Sequence, residues 1–360
     1  MNKRLVQNLA VTRMSPGCYC FAKHCTEKLF YQLVKFKLIG FPIFLRHRRA
    51  KGTSVVPQNK DTMIAHACMI GFALLISGSF PIGTVISQQI DPVALTFMRF
   101  VLAASILGVS LFLRGKMQKQ YFKKPWRFIL LGACFSFYFV FMFEALKTAS
   151  PVATSSIFTL LPFLALFLDF LIFRKRAGLR FIIYLLIGAL GTSIVIFKGA
   201  FDNFLLLRLD YGEMVFFAGT VIHAAYAVLV PKMREGEPVG VVTFAVMVGA
   251  MIVLGVLFPN RILHTDWMNL GTEVYLSLLY LSIFASIFSL TLLTKASEHL
   301  SSGHFTAYTF STPFWVAILD YNFLGNRLES YVFLGGAFIL LSLVLLFVHS
   351  ERLSEHSQQN

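Results

Sequence analysis

The residues of this sequence that could do chemistry are ionisable side chains placed within long apolar segments. Arg99 lies seven residues into one such segment, and Glu144 lies near the end of the following one. A charged side chain at the centre of a bilayer costs about 2.5–3.5 kcal/mol on insertion scales, which makes such a residue a functional candidate. We predict either that Arg99 pairs with Glu144 or that Arg99 faces a cavity and binds an anionic group. The structural alternatives are an ion pair without a role in binding and an Arg99 side chain that extends to the membrane surface.

Other apolar segments carry hydroxyl, imidazole and aromatic groups that could line the same cavity. His223 and Tyr226 are three residues apart, while His304, Tyr308 and Trp315 are separated by four and seven. These spacings place each set on one face of a helix. Such groups suit an amino acid, an amine or an aromatic metabolite, although a lone histidine in an apolar segment is often a structural core residue. The candidate cavity residues are Arg99, Glu144, Ser155, Thr159, His223, Tyr226, His304, Tyr308 and Trp315.

Three prolines interrupt apolar segments and are hinge candidates: Pro81, Pro162 and Pro313. Proline inside a helix removes one backbone hydrogen bond. Pro162 and Pro313 would free the carbonyls of Phe158 and Thr309, and nearby hydroxyls could satisfy those carbonyls in a membrane. The sequence thus predicts paired kinks, which either flex during function or serve only in packing.

Two aspartates, Asp169 and Asp320, lie near the ends of apolar segments and could exchange protons. Burial raises the pKa of a carboxyl group toward neutrality, which proton exchange requires. The alternative is that both are solvated or pair with Arg176 and Arg327.

The composition excludes an ordinary soluble enzyme, a disordered chain and a fibrous protein. Of the 360 residues, 57% are hydrophobic and only 14% are charged, and the mean hydropathy is +0.71. Soluble domains carry about 45–50% apolar and about 25% charged residues. The net charge is +15, but +10 of it lies in residues 1–62, so the cations form no face for nucleic acid. We expect no nucleic-acid partner.

No catalytic, metal-binding or nucleotide-binding motif is evident. The sequence contains no Gly-rich phosphate loop, no Gly-x-Ser-x-Gly elbow and no His-Glu-x-x-His motif. Cys18, Cys20, His24 and Cys25 lack the usual zinc spacing and are interpreted as free side chains in a tail. We therefore predict no catalytic residues, no metal and no cofactor.

The apolar segments that position these residues number ten, each close to the roughly 20 residues that cross a bilayer. Asp91-Pro92, Lys124-Pro125, Ser150-Pro151 and Glu237-Pro238 separate successive segments. A shift of 151 residues lays Pro162 on Pro313, and five spans per half require the second half to be inverted. The predicted fold is an all-α polytopic membrane protein, with ten transmembrane helices as two inverted five-helix repeats. The predicted spans are 63–87, 93–113, 126–147, 151–173, 180–197, 212–230, 239–258, 272–293, 303–323 and 331–348.

The distribution of Lys and Arg predicts the orientation. With the first residue in the cytoplasm, the inner segments hold 26 of these residues and the outer loops hold five. Positive charge is retained on the cytoplasmic side, so both termini are expected there. The predicted domains are a basic cytoplasmic tail (1–62), a first repeat (63–197), a second repeat (212–348) and a short cytoplasmic tail (349–360).

Four segments carry a resemblance to the EamA-type transporters of the drug/metabolite transporter superfamily. They are Asp91–Leu107, Glu144–Phe167, Gly188–Gly199 and Gly212–Val230, which look like that family's second, third-to-fourth, fifth and sixth helices. The resemblance covers about residues 63–348. It implies a secondary transporter of the cell inner membrane that moves a small metabolite, such as an amino acid, by alternating access.

Export is the direction that the resemblance favours, and an uptake carrier is the close alternative. An intramembrane lipid-modifying enzyme is less favoured, because the polar groups do not converge near one membrane surface. A lipid flippase, which would require a lateral opening and a basic cavity, is a further and less favoured alternative. The expected partners are a small-molecule substrate, optionally protons, and the lipid bilayer. The oligomeric state stays open, with a homodimer as one option.

Overall fold

The computed structural model describes residues 58–175, 177–196, 210–324 and 330–359. The predicted tail up to residue 57, with its cysteines, lies outside these ranges, as do Arg176 and Arg327. The side chains of Asp320 and of residues 349–360 are also outside the described set.

The described residues form helices and no strands. The first half contains α1 (Gln58–Ser77), α2 (Ser79–Ile86), α3 (Pro92–Leu113), α4 (Trp126–Ala145), α5 (Pro151–Phe158), α6 (Leu161–Phe173) and α7 (Leu179–Ile196). The second half contains α8 (Tyr211–Met233), α9 (Val239–Leu257), α10 (Pro259–Leu263), α11 (Thr272–Ser282), α12 (Ser289–Ala296), α13 (Ser302–Ala307), α14 (Thr312–Leu324) and α15 (Ser330–Gln359).

Eight helical stretches in the described ranges are long and apolar enough to cross a membrane. The protein is therefore an all-helical, multi-pass membrane protein. The apolar part of α7, Leu179–Ile194, is shorter, and the predicted ninth span is divided into α13, a 3-10 turn and α14. Ten spans as inverted repeats thus remain a prediction.

Local sequence explains where several helices begin and end. The backbone N–H groups of Val93 and Ala94 donate to the Asp91 carboxylate, which caps α3 ahead of Pro92. Ser150 caps α5 in the same way, with Pro151 as the first helical residue. Proline at the first position is favourable because its missing N–H would have no helical partner. By contrast, α15 continues beyond the predicted span to Gln359, since no glycine or proline follows residue 348 to stop it.

The two halves pack against each other in reciprocal pairs. Helix α4 contacts α8 and α9 of the second half, while α12 contacts α1 of the first half and α11 contacts α3. The last helices of the two halves, α7 and α15, also pack together. Most of the core therefore lies between the halves rather than within either one.

Both predicted proline breaks occur at equivalent places in the two halves. Before Pro162, the N–H groups of Thr159 and Leu160 bond carbonyls three residues earlier, which tightens the chain between α5 and α6. Before Pro313, residues Tyr308–Ser311 form a 3-10 turn. Pro81 follows a third break, at Gly78 between α1 and α2. A paired change of helical geometry is present, whereas flexing at these prolines stays a prediction.

Candidate functional site

A small cavity lies between the two halves. Its volume, measured as the space open to the centre of a water molecule, is about 10 Å³, which is about enough for one water. Helices α1, α2, α4 and α5 of the first half and α8 and α12 of the second half supply its lining. The lining residues are Phe72, Ile76, Ser79, Phe135, Tyr138, Phe139, Met142, Phe158, His223 and Ser289. A cavity of this size is closed to any organic solute until helices or side chains move.

Two polar atoms of the lining have no hydrogen-bond partner among the residues that the structure describes. Ser79 Oγ and His223 Nδ1 are both buried and unbonded, while the hydroxyl of Ser289 donates to Ala285 O at 2.8 Å. A buried polar group left unbonded costs about 1–3 kcal/mol, so such groups are rare without a reason. These two atoms are available to a ligand or to a water in the cavity.

Aromatic rings surround His223. The ring centroids of Tyr138 and His223 are 4.3 Å apart, and Phe158 lies 5.6 Å away on another side. Tyr226 stacks on His223 with centroids 5.8 Å apart, so these two residues do share one face of α8. His223 lines the cavity, whereas Tyr226 lies behind it, against Phe135.

Arg99 is fully buried beside the cavity and pairs with neutral groups. Its Nε donates to Ser286 Oγ at 2.5 Å, and its Nη2 donates to Ala285 O. Both acceptors belong to a π-helical stretch, Ile283–Phe288, between α11 and α12. The guanidinium carbon lies 3.7 Å from the ring centroid of Phe139, which lines the cavity.

The predicted pairing of Arg99 with Glu144 is wrong. The carboxylate of Glu144 instead binds Lys147 at 3.0 Å, one helical turn away. The sequence placed Arg99 and Glu144 at a similar depth, but α3 turns Arg99 toward the second half while Glu144 lies at the end of α4. The alternative role of Arg99, binding an anionic group, is not affected.

The other predicted cavity residues lie away from the lining. Ser155 and Thr159 donate to carbonyls of their own helical segment, Val152 O and Ser156 O. His304 bonds Ser301 near the start of α13, Tyr308 bonds a histidine of α1, and Trp315 packs on Phe314. His304 contacts Phe181, Tyr308 contacts a histidine of α1 and Trp315 contacts Phe314, so the three side chains have different neighbours.

Several polar residues at or near the cavity were missed in the sequence. They are Ser79 and Ser289 in the lining, Ser286 at Arg99, and His66, whose Nδ1 lies 2.7 Å from the Tyr308 hydroxyl. His66 could have been found in the sequence, because it is an ionisable side chain inside a span and such residues are functional candidates. The serines give no such signal, because most hydroxyls here bond the preceding turn of their own helix.

Asp169 lies where α6 meets α13. The Ser302 hydroxyl donates to its carboxylate, and both side chains are buried. Lys232 of α8 lies within electrostatic range of this carboxylate, with its ammonium 5.0 Å from the ring centroid of Phe173. Asp320 belongs to α14, and its side chain is outside the described set. The interpretation of Asp169 as fully solvated is therefore wrong.

Ion pairs join the halves at one end of the bundle, which we call the basic end (loops 114–125, 174–178, 234–238 and 297–301). Arg127 Nη2 lies 2.7 Å from Glu237 Oε1, and both side chains are nearly fully buried. Arg234 binds Glu298 at 2.7 Å, linking the α8–α9 loop to the end of α12. At the opposite end, Arg261 of α10 binds the Asp91 carboxylate. At each end of the bundle, at least one ion pair thus joins the two halves, Arg127–Glu237 at the basic end and Arg261–Asp91 at the opposite end.

Membrane-crossing helices around a closed cavity with unbonded polar groups define a multi-pass membrane protein of the solute-transporter class. Comparison with known proteins assigns it further. The chain belongs to the EamA-like transporter family, whose model matches residues 63–197 and again residues 210–348. This membership indicates a transporter rather than an enzyme and agrees with the resemblance noted in the sequence.

Relatives and a solved structure support this assignment. The chain is 22% identical over 280 residues to the uncharacterized transporter YyaM of Bacillus subtilis, covering 77% of this chain and 91% of that protein. It is 23% identical over 275 residues to an uncharacterized transporter of Archaeoglobus fulgidus, covering 76% and 93%. A protein known from a crystal structure shares the fold with a TM-score of 0.61 at 19% identity, over 82% of this chain and 98% of that one.

Proposed function

We propose that this protein is a secondary transporter that moves a small metabolite, such as an amino acid or a related solute, by alternating access. The observation that carries the proposal is the cavity between the halves, with Ser79 Oγ and His223 Nδ1 unbonded in its wall. A cavity that holds about one water, with an ion pair between the halves at each end, supports an occluded state in this proposal. Transport then requires each end to open in turn.

The proposal includes ten transmembrane helices in two inverted repeats. The reciprocal contacts support it: α4 packs on α8, as α12 packs on α1, and the tightened chain before Pro162 has its counterpart before Pro313. Two halves related by a two-fold axis in the membrane plane would produce such exchanged pairs. The basic end then faces the cytoplasm with both termini, in a cell inner membrane.

Export is the proposed direction, and uptake is the alternative. Proteoliposomes that contain the full chain in a known orientation separate the two. Faster efflux than influx of a labelled metabolite, with the basic end on the loaded side, supports export. The reverse ratio would reassign the protein as an uptake carrier.

Replacing His223 with phenylalanine tests whether the cavity binds the solute. The variant keeps an aromatic ring in contact with Tyr138, but it lacks the Nδ1 atom of His223 that is open to the ligand. Loss of one hydrogen bond of about 1.4 kcal/mol would reduce flux about tenfold. His264→Phe, at an exposed site beyond α10, is the matched control and should transport normally. Unchanged flux in the His223 variant, at equal protein in the membrane, would refute a solute site here.

Asp169 is the proposed proton-exchanging group, because it is a buried carboxylate in contact with a hydroxyl of the other half. Asp169→Asn should abolish solute accumulation driven by a pH gradient while leaving exchange of labelled for unlabelled solute. Asp266→Asn, in an exposed loop, is the matched control. If the Asp169 variant still accumulates solute with the pH gradient, coupling occurs elsewhere or not at all.

A further inference from the structure

We infer that the transported solute carries an anionic group and that Arg99 is its counter-charge. The inference rests on the proposed transport function and adds the charge class of the substrate. Arg99 has no exposed surface, and it takes part in none of the ion pairs found among the described residues. A buried cation without an anion is costly, because protein dipoles replace only part of its hydration.

The hydrogen bonds of Arg99 leave one nitrogen open. A guanidinium offers five N–H donors in a planar fork. Ser286 and Ala285 accept from Nε and Nη2, while Nη1 has no partner although it is buried. An arginine fixed on one edge with its other edge unbonded is suited to a carboxylate or another oxyanion.

The guanidinium of Arg99 and the cavity share one side chain, Phe139. Phe139 lines the cavity and also stacks on the guanidinium at 3.7 Å. Ser289, another lining residue, donates to the same Ala285 carbonyl that Arg99 uses. In the proposal, the Phe139 side chain moves as the cavity widens, and the Arg99 guanidinium then becomes part of the cavity wall.

The rest of the cavity wall defines what the anion is attached to. None of the ten lining residues is acidic, so an ammonium group would find no carboxylate there. Four of the ten are phenylalanines and one is tyrosine, and such walls suit a flat apolar body. Within the amino acids and related solutes of the proposed function, the inference therefore selects the related solutes. The predicted class is a small organic monoanion with an apolar or aromatic body, preferred over a zwitterion such as an amino acid or a cation of the same shape.

Four probes of one shape test this inference on the purified full-length protein. Phenylacetate is an anion, 2-phenylacetamide is neutral, phenethylamine is a cation and phenylalanine is a zwitterion. In chloride-free detergent buffer, phenylacetate should raise the melting temperature most, because a ligand that binds only the folded state stabilises it. Equal or larger stabilisation by the amide, the amine or phenylalanine would overturn the inference, as would equal stabilisation by chloride alone. Stabilisation by none of the four would also overturn it.

Variants of Arg99 separate a substrate contact from a structural role. Arg99→Gln should weaken phenylacetate binding about 30-fold or more, the effect of losing one partner of a buried charge pair. Arg114→Gln, at the exposed end of α3, is the matched control and should bind as the wild type does. Arg99→Lys keeps the charge without the fork and should restore part of the affinity. If Arg99→Gln does not fold, the ranking of the four probes on the wild type still decides.

Flux distinguishes failure of this inference from failure of the proposed function. Faster flux of phenethylamine or the amide than of phenylacetate into proteoliposomes would support the proposed transport function but contradict an anionic substrate. Flux of phenylacetate that is lost in Arg99→Gln and kept in Arg114→Gln would support both.

Discussion

Replacement of Gly132 with alanine is expected to destabilise the protein strongly, because the added methyl group would meet backbone atoms of a neighbouring helix. A Cβ atom at this position would lie against the backbone of α9, 2.6 Å from the carbonyl carbon of Gly249 and 2.7 Å from Val246 O, with Ala250 N closer still. Backbone cannot rotate away as a side chain can, so α4 and α9 must separate. Overpacking of this kind costs about 3 kcal/mol, and it falls at a contact between the two halves.

The same substitution should also impair function, because α4 carries Phe135 and Phe139, one and two turns beyond Gly132. Denaturation of the purified protein in detergent measures the loss of stability, and proteoliposome flux measures the second effect. Gly178→Ala is the matched control, since no heavy atom lies within 4 Å of a Cβ there. Its free energy of unfolding should stay within about 0.5 kcal/mol of the wild type. Equal stability of the two variants would mean that α4 and α9 do not cross at this distance.

Features that depend on local sequence could be predicted without the structure. Asp91 and Ser150 cap helices ahead of prolines because the capping oxygen and the fixed proline φ act within three residues. The stacking of His223 on Tyr226 follows from spacing along one regular helix. The paired breaks before Pro162 and Pro313 follow from the missing N–H of proline.

Features that depend on contacts across the two halves could not be predicted. Arg99 was expected to pair with Glu144, which lies at a similar depth in the membrane. Its hydrogen-bond acceptors are instead 186 and 187 residues away along the chain. They belong to a π-helical stretch that the periodicity of apolar residues does not reveal. His66 and Tyr308, 242 residues apart, meet for the same reason. A change from α to 3-10 or π geometry rotates every following side chain, so predicted helical faces fail beyond it.

Removal of the Glu237 charge is expected to show how strongly the halves are joined at the basic end. Burial alone raises the pKa of this carboxyl group, but the N–H of Glu235, which donates to it at 2.7 Å, and the Arg127 guanidinium outweigh burial and lower the pKa below its ordinary value of 4.5. A carboxyl group whose pKa is lowered on folding adds stability above the unfolded-state pKa and loses it as pH falls through the folded-state value. The contribution of Glu237 is therefore complete at pH 7 and disappears below pH 4.5.

Glu237→Gln should lower the free energy of unfolding by about 3 kcal/mol at pH 7, because it removes the buried counter-charge of Arg127 at 2.7 Å. Only the half-exposed carboxylate of Glu235, 3.7 Å from Arg127 Nη2, then remains. The difference from the wild type should shrink as pH falls below 4.5, where the native carboxylate also becomes protonated. Glu235→Gln is the matched control in the same loop. Its carboxylate also lies 2.7 Å from a cation, Lys124, but half of its side chain is exposed, so we expect a loss below about 1 kcal/mol. Melting curves of both variants from about pH 2 to pH 7 decide the matter, since this range includes the fall of pH through the lowered pKa of Glu237. Equal losses at pH 7 would mean that water reaches the Arg127–Glu237 pair, and the start of α4 would then be free to separate from the α8–α9 loop at little cost.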